Sequence, residues 1–389
     1  MPADSQPHID KPVEASRQQA TPEPGIAGSD LQDPANPPAE PSRETGLTHH
    51  ESRAPPDNES AGSLDAMAGH SVDLSVDSDR TDVDSSLGDL DTSSTTRSAS
   101  SSIYEFVEQF GRTYHKYKEG KYYLPNDEQE QNRLDLQHTI SRKLLNGKLG
   151  LAPAENAHRV LDLGTGTGIW AIDFAEENPG ASVLGIDLSP IQPDHLPPNC
   201  QFEIDDAEDA WVWSQKFDYV HAKNFIPFIG DIPKLMRNIH DNLNPGGYVE
   251  MLEAPMLFRA VDNTLEGTPL LKWNNWMLEG VRRMGRNPLA ALQLNKLMAE
   301  AGFVNITEKR LAVPINAWAK GAEHKVLGAM EMINLLEVAQ GITMTVFTKA
   351  LGWSEEEVEM LLTDVRNNLK DRSIHAYLPV VCIWAQRSE

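Results

Sequence analysis

The stretch at 159–170, RVLDLGTGTGIW, leaves few architectures open to this chain. The apolar run Val160-Leu161-Asp162-Leu163 meets glycines at alternate positions, Gly164, Gly166 and Gly168, and an amphipathic run follows at once. That order reads as a buried strand, a tight turn and a helix start. Glycine lets the backbone turn sharply and lets a ligand approach with no Cβ in the way. The helix start behind it offers free N–H groups and partial positive charge.

The pattern then repeats. Strands are expected at Ser182–Asp187 (SVLGID), 201–204, 217–222 and 248–253, with a helix at 232–243 before the Asn244-Pro245-Gly246-Gly247 turn. Pro190, Pro193, Pro197 and Pro198 keep the segment after the second strand from forming a long helix. Strand–helix alternation with short turns predicts an α/β fold, a doubly wound and mostly parallel sheet with right-handed crossovers. The second half adds helices near 269–283, 288–301, 323–339 and 354–368, read as insertions over the ligand face. The β-branched and aromatic runs at 303–313 and 374–386 are expected to pair as a hairpin at the sheet edge.

The N-terminal third is different in kind. No aromatic residue occurs before Tyr104, and the first hundred residues hold 19 acidic against 6 basic side chains. So little apolar content cannot offset the entropy of ordering a backbone, so residues 1–102 are expected to be a disordered acidic tail. Its Ser/Asp-rich block at 71–102 suits a solvated linker or a phosphorylation target. Residues 103–150 are read as a helical extension. Ile103, Phe106, Val107 and Phe110 sit at helical spacing, and Asn126 is placed to cap a second helix whose apolar face is Leu134, Ile140, Leu144 and Leu145. The extension either packs on the main domain at 151–389 or acts as a lid, with Tyr122 or Tyr123 touching substrate.

The net charge of −24 argues against non-specific nucleic-acid binding and leaves room for a basic protein partner. Cys200 and Cys382 have no metal-site spacing and fit a reduced, intracellular compartment. The start carries no apolar signal region, and no run reaches the 18 or so apolar residues of a membrane span.

Three ligands compete for the glycine turn. A nucleoside triphosphate calls for Gly-Lys-Ser/Thr after the turn, and that is absent. A dinucleotide calls for G-x-G-x-x-G or -A, which Gly166, Gly168 and Ala171 satisfy. S-adenosylmethionine carries no phosphate and would use the glycines to admit its methionine part. Asp162, inside the first strand, is placed to meet that ligand's amino group. Asp187, at the end of the second, is placed to accept both ribose hydroxyls, as it also would for NAD. Asp205-Asp206-Ala207 follows the third strand, where an acid and a backbone N–H can meet adenine.

As an ordered set, DLGTGTG, GIDLS, DDAED, FDYVHAKN and LNPGGYVEMLE resembles the class I S-adenosylmethionine-dependent methyltransferases. The longer strings KYYLPNDEQEQNRLDLQH, GTGTGIWAIDFAEENPGASVLGIDLSPIQP and LGWSEEEVEMLLTDVR resemble the fungal LaeA-like group, which is associated with control of secondary metabolism and development. The resemblance implies a seven-stranded sheet with an antiparallel last strand. It also implies S-adenosyl-L-methionine as cofactor, protein partners or a protein substrate, and a nuclear or cytoplasmic location. Carried over by position, it implies cofactor contacts at Asp162, Gly164, Thr165, Gly166, Gly168, Asp187, Leu188, Asp206, Ala207 and Asn224. Methyl transfer from a sulfonium is an in-line displacement governed by positioning. A base is needed only when the acceptor must lose a proton. His115, His221, Lys223 and His375 are the candidates, and none stands out in the sequence.

Overall fold

In the computed structural model, residues 74–77 and 105–389 are described. The expected disorder of 1–102 and the Ser/Asp-rich block lie outside the described residues, save for 74–77.

The extension opens with a hairpin rather than the expected helix. Strand β1 (Phe106–Gln109) pairs antiparallel with β2 (Arg112–His115). The two turn residues, Phe110 and Gly111, have φ of 54° and 71°. Positive φ at both central positions defines the tight turn that matches strand twist. The apolar spacing here fits a helix, but Gly111 supplies the turn, and the strands follow. Helix α1 (Glu128–Leu144) comes next as predicted, although its N-cap is Asp127, whose side chain accepts from Glu130 N. Asn126 instead donates to Ser189 Oγ at 2.9 Å, tying the extension to the main domain.

Strands β3 (Arg159–Leu163), β4 (Ser182–Asp187), β5 (Cys200–Ile204), β6 (Phe217–Lys223) and β7 (Leu243–Glu253) are parallel, in the order β5-β4-β3-β6-β7. Such strands are covered on both faces, which is why Val160, Leu161, Leu163, Val220 and Ala222 are all 0% exposed. Helix α2 (Ile169–Glu177) packs Trp170, Ala171 and Phe174 inward. Helix α3 (Ile232–Asn242) buries Ile232, Leu235, Met236 and Ile239, one face at i, i+3, i+4, i+7.

Beyond β7 come the short β8 (Arg259–Ala260), α4 (Pro269–Arg283), α5 (Leu294–Glu300) and β9 (Val304–Pro314). Then follow α6 (Ala322–Val346), continued by a π-helical turn at Phe347–Leu351, α7 (Glu355–Lys370) and β10 (Ala376–Gln386). Strand β10 lies antiparallel between β7 and β9, so the expected edge pairing forms across two intervening helices. β8 adds two residues beside the start of β10. A second core of Trp273, Met277, Leu335, Ile342, Phe347 and Leu362 joins α4, α6 and α7. Among the described residues no helix is long and apolar enough to cross a membrane.

Candidate active site

The carboxyl ends of β3 to β7 open into one cavity of about 290 Å³, closed from above by α1, α4 and α6 and by the loop before α1. In an open α/β sheet this is where the strand order reverses and ligands bind. One end is polar, lined by Gly164, Gly166, Asp187, Asp205, Asp206 and Asn224. The other is apolar, lined by Met256, Phe258, Trp273, Met277, Leu335 and Ile342.

At the polar end the glycine turn takes the shape its sequence demands. Gly164, Gly166 and Gly168 have φ of 64°, 59° and 81°. Gly166 N donates to Asp187 Oδ2 at 2.9 Å and Ser189 N donates to Oδ1 at 2.9 Å. Burial pushes the Asp187 carboxyl up, while those two N–H groups favour its charged form. Each oxygen keeps a lone pair, enough for two vicinal hydroxyls.

Asp162 requires a correction. It is 3% exposed and does not line the cavity. His221 Nδ1 donates to its Oδ1 at 2.7 Å, and Thr165 Oγ1 donates to its Oδ2 at 2.6 Å. The His221 ring stacks on Trp170 at 3.7 Å between centroids. These four residues form a buried post that shapes the turn. Asp162, Thr165 and Gly168 do not line the cavity, and Asp162 acts on the turn through its bonds to His221 and Thr165.

Asp206 also differs from expectation. It lines the cavity, but Lys118 (2.8 Å) and Lys121 of the loop before α1 both donate to its Oδ2, and Glu208 N takes Oδ1 at 2.9 Å. Burial would raise its pKa; the lysines and that N–H hold it below the usual carboxylate range. Asp205 lines the same wall, its Oδ1 accepting from Asp206 N at 2.8 Å, with Ala207 beside it. The lysines instead fasten the loop that carries Tyr122 and Asn126 over this end. Replacing both with alanine should weaken cofactor binding about three- to tenfold and lower the melting temperature, since it leaves the Asp206 carboxylate, 5% exposed, without its cations. Titration calorimetry and thermal melts on the double variant check this.

Asn224, at the end of β6, has φ of 49° and lines the cavity. Its N–H donates to Leu252 O at 3.0 Å. The turn behind it is pinned by Glu253, 0% exposed, which accepts from Phe225 N at 3.0 Å and Ile226 N at 3.3 Å. Burial pushes that carboxyl up to about 8. Of the four candidate bases only Lys223 lines the cavity. Its amine lies 3.4 Å from His138 Nδ1, and burial brings it down to about 8. His115 bonds the carbonyls of Tyr117 and Tyr122, His221 belongs to the buried post, and His375 pairs with Asp262 near the surface.

Sequence reasoning passed over a polar cluster in the apolar end. Arg133 of α1 grips Glu130 with two bonds (2.9 and 2.7 Å) and donates to Asn334 Oδ1 at 2.6 Å. Asn334 donates to Glu331 at 3.0 Å, and burial pushes the Glu331 carboxyl up to about 7. The signal was present: Glu331 interrupts the i+4 series Leu327, Leu335, Ala339, all buried on α6.

The donor set fits a cationic nucleoside better than a dinucleotide. Asp206 and Glu208 on this wall are paired with Lys118 and Lys121, which leaves Asp187 and Asp205 as the acids without a lysine partner, and a diphosphate beside them would be repelled. The Asp187 carboxylate matches a ribose; a Cβ at Gly164 would stand 2.5 Å from Phe225 Cδ2, so that glycine admits the Phe225 ring, whereas one at Gly166 would meet only Leu134 Cδ1 at 3.4 Å.

Residues 129–308 match the model of a methyltransferase domain. The methyltransferase pytC of Aspergillus terreus is 37% identical over 311 residues, 79% of this chain and 96% of that protein. The secondary metabolism regulator laeA of Monascus pilosus is 33% identical over 341 residues, 85% of this chain and 91% of that one. The protein-methionine methyltransferase laeA of Emericella nidulans is 34% identical over 280 residues, 70% and 74% of the two chains.

Proposed function

The chain belongs to the methyltransferase family of pytC and laeA, and from that premise we propose that it methylates a thioether, the side chain of a protein methionine, in a regulatory role. S-adenosylmethionine is the methyl donor of this family and supplies an electrophilic methyl group on a sulfonium. Asp187 would hold the ribose, Asp205 and Ala207 the adenine, and Gly164, Gly166 and Asn224 the methionine moiety. The protein's remaining task is to exclude water and hold an acceptor in line with the methyl group.

One observation carries the choice of acceptor: the polar groups of the lobe, Arg133, Glu331 and Asn334, bond to one another among otherwise apolar walls, and among the described residues no histidine lines it. A hydroxyl or ammonium acceptor must lose a proton; a thioether offers its lone pair directly. The name of the Emericella relative agrees with this reading. The acidic balance of the chain suits a basic protein partner, and we place the protein in the nucleus or cytoplasm. A second reading, a small-molecule acceptor, draws support from 37% identity to pytC.

Incubation of the full chain with methyl-labelled S-adenosylmethionine and cell extract separates the two. Label in protein, mapped by mass spectrometry to a methionine sulfonium, is the expected result. Label confined to the small-molecule fraction would overturn the protein reading.

A further inference from the structure

A short N-terminal segment, 74–77, lies on the folded domain far from the glycine turn in sequence. Val76 pairs antiparallel with Ala319. Asp77 N donates to Trp318 O at 3.2 Å, and Lys320 N donates to Ser75 O at 2.7 Å. The Asp77 carboxylate pairs with Lys325 on the first turns of α6 and is only 10% exposed.

The receiving strip is built to be rigid. Trp318 is 2% exposed and donates from Nε1 to Ala376 O at 2.6 Å, at the start of β10. Ile315 N donates to the same carbonyl at 3.1 Å, and Asn316 Nδ2 bridges Leu369 O and Asp371 O, both at 3.1 Å. A main-chain edge held this way accepts an extended peptide as an added strand. Gly321, the N-cap residue of helix α6, offers no side-chain cap. A carboxylate beside that end complements its partial positive charge.

We propose that the strip at 318–320, with Lys325, is a docking site for a short extended acidic segment, and that residues 74–77 of the same chain are its resident ligand. Two main-chain bonds supply the pairing and one ion pair supplies the preference for acid. The linkage is intramolecular, Val76 and Ala319 belonging to one chain. The docked end of α6 leads directly to Glu331 and Asn334, so the tail is fastened to the helix that walls the acceptor lobe. The triplet Ser-Val-Asp occurs at 71–73 as well as 75–77, giving the strip a second copy of the same ligand chemistry in the same chain.

Two measurements on the full chain test this. Val76 and Ala319 form a non-hydrogen-bonded antiparallel pair, whose Cα atoms lie about 4.5 Å apart and within reach of a disulfide. In Val76→Cys/Ala319→Cys, mild oxidation should give a monomer with an internal disulfide; free thiols or a covalent dimer would overturn the proposal. The second measurement leaves the buried Ala319 alone. Reversing both acids, Asp73→Lys/Asp77→Lys, should speed hydrogen exchange at the Lys320 amide about tenfold, and adding Lys325→Asp should restore protection. Equal exchange in all three proteins would overturn it.

Discussion

Asp187→Ala should bind S-adenosylmethionine at least about a hundredfold more weakly than the parent chain while folding as well as it does. The affinity loss follows from two hydrogen bonds to a charged acceptor, at about 1.5–3 kcal/mol each, where about 1.4 kcal/mol is tenfold. The preserved stability follows from the environment of the group. Burial raises the Asp187 carboxyl, so its charge is held at a cost, offset by the N–H groups of Gly166 and Ser189. Removing a charge held at a cost relieves desolvation even as it frees two donors. Calorimetry gives the affinity and urea denaturation the stability. Binding within threefold of the parent would show that Asp187 does not hold the ribose.

Gly168→Ala should have the largest effect on stability, about 3 kcal/mol. At φ of 81° any Cβ is strained, at a cost of about 1–2 kcal/mol. The new methyl would also stand 2.3 Å from Phe202 Cζ, so the ring must shift, adding about 1–3 kcal/mol of overpacking. Gly166→Ala is the internal control. Its φ is similar at 59°, but the nearest atom to a Cβ there is Leu134 Cδ1 at 3.4 Å, so it should lose about half as much. A lower urea midpoint at unchanged slope, larger for Gly168→Ala, is the expected result. Equal shifts would mean that the contact with Phe202 yields.

The sheet was legible because its strands alternate with helices at short turns and because burial on both faces leaves apolar runs that no other element explains. Asp187 was legible for the same reason: a strand end fixes where its next side chain points. The hairpin at Phe106–His115 was not, because four apolar residues at helical spacing do not reveal that Phe110 and Gly111 both turn left-handed. Asp162 misled for a different reason. Its place in the strand was read correctly, but an alternating strand in a two-faced core sends every second side chain away from the ligand, and only the partner strand's His221 shows which way. Asp206 could not be judged without Lys118 and Lys121, which approach from 85 or more residues upstream. Glu331 belongs to a pocket assembled from α1 and α6, and such a pocket has no local sequence signature.

Strand β10 is inserted between β7 and β9, and Val381, Cys382, Ile383 and Ala385 are each at most 1% exposed. The order of synthesis therefore differs from the order of assembly. A nascent chain that has made everything up to Asp371 holds two long sheet edges, β7 and β9, with no strand between them. Such edges invite pairing with other chains until the missing strand arrives. Folding of this protein is thus completed from its far end, and ribosome stalling or premature termination before Ala376 would release a species prone to aggregate rather than a shortened enzyme.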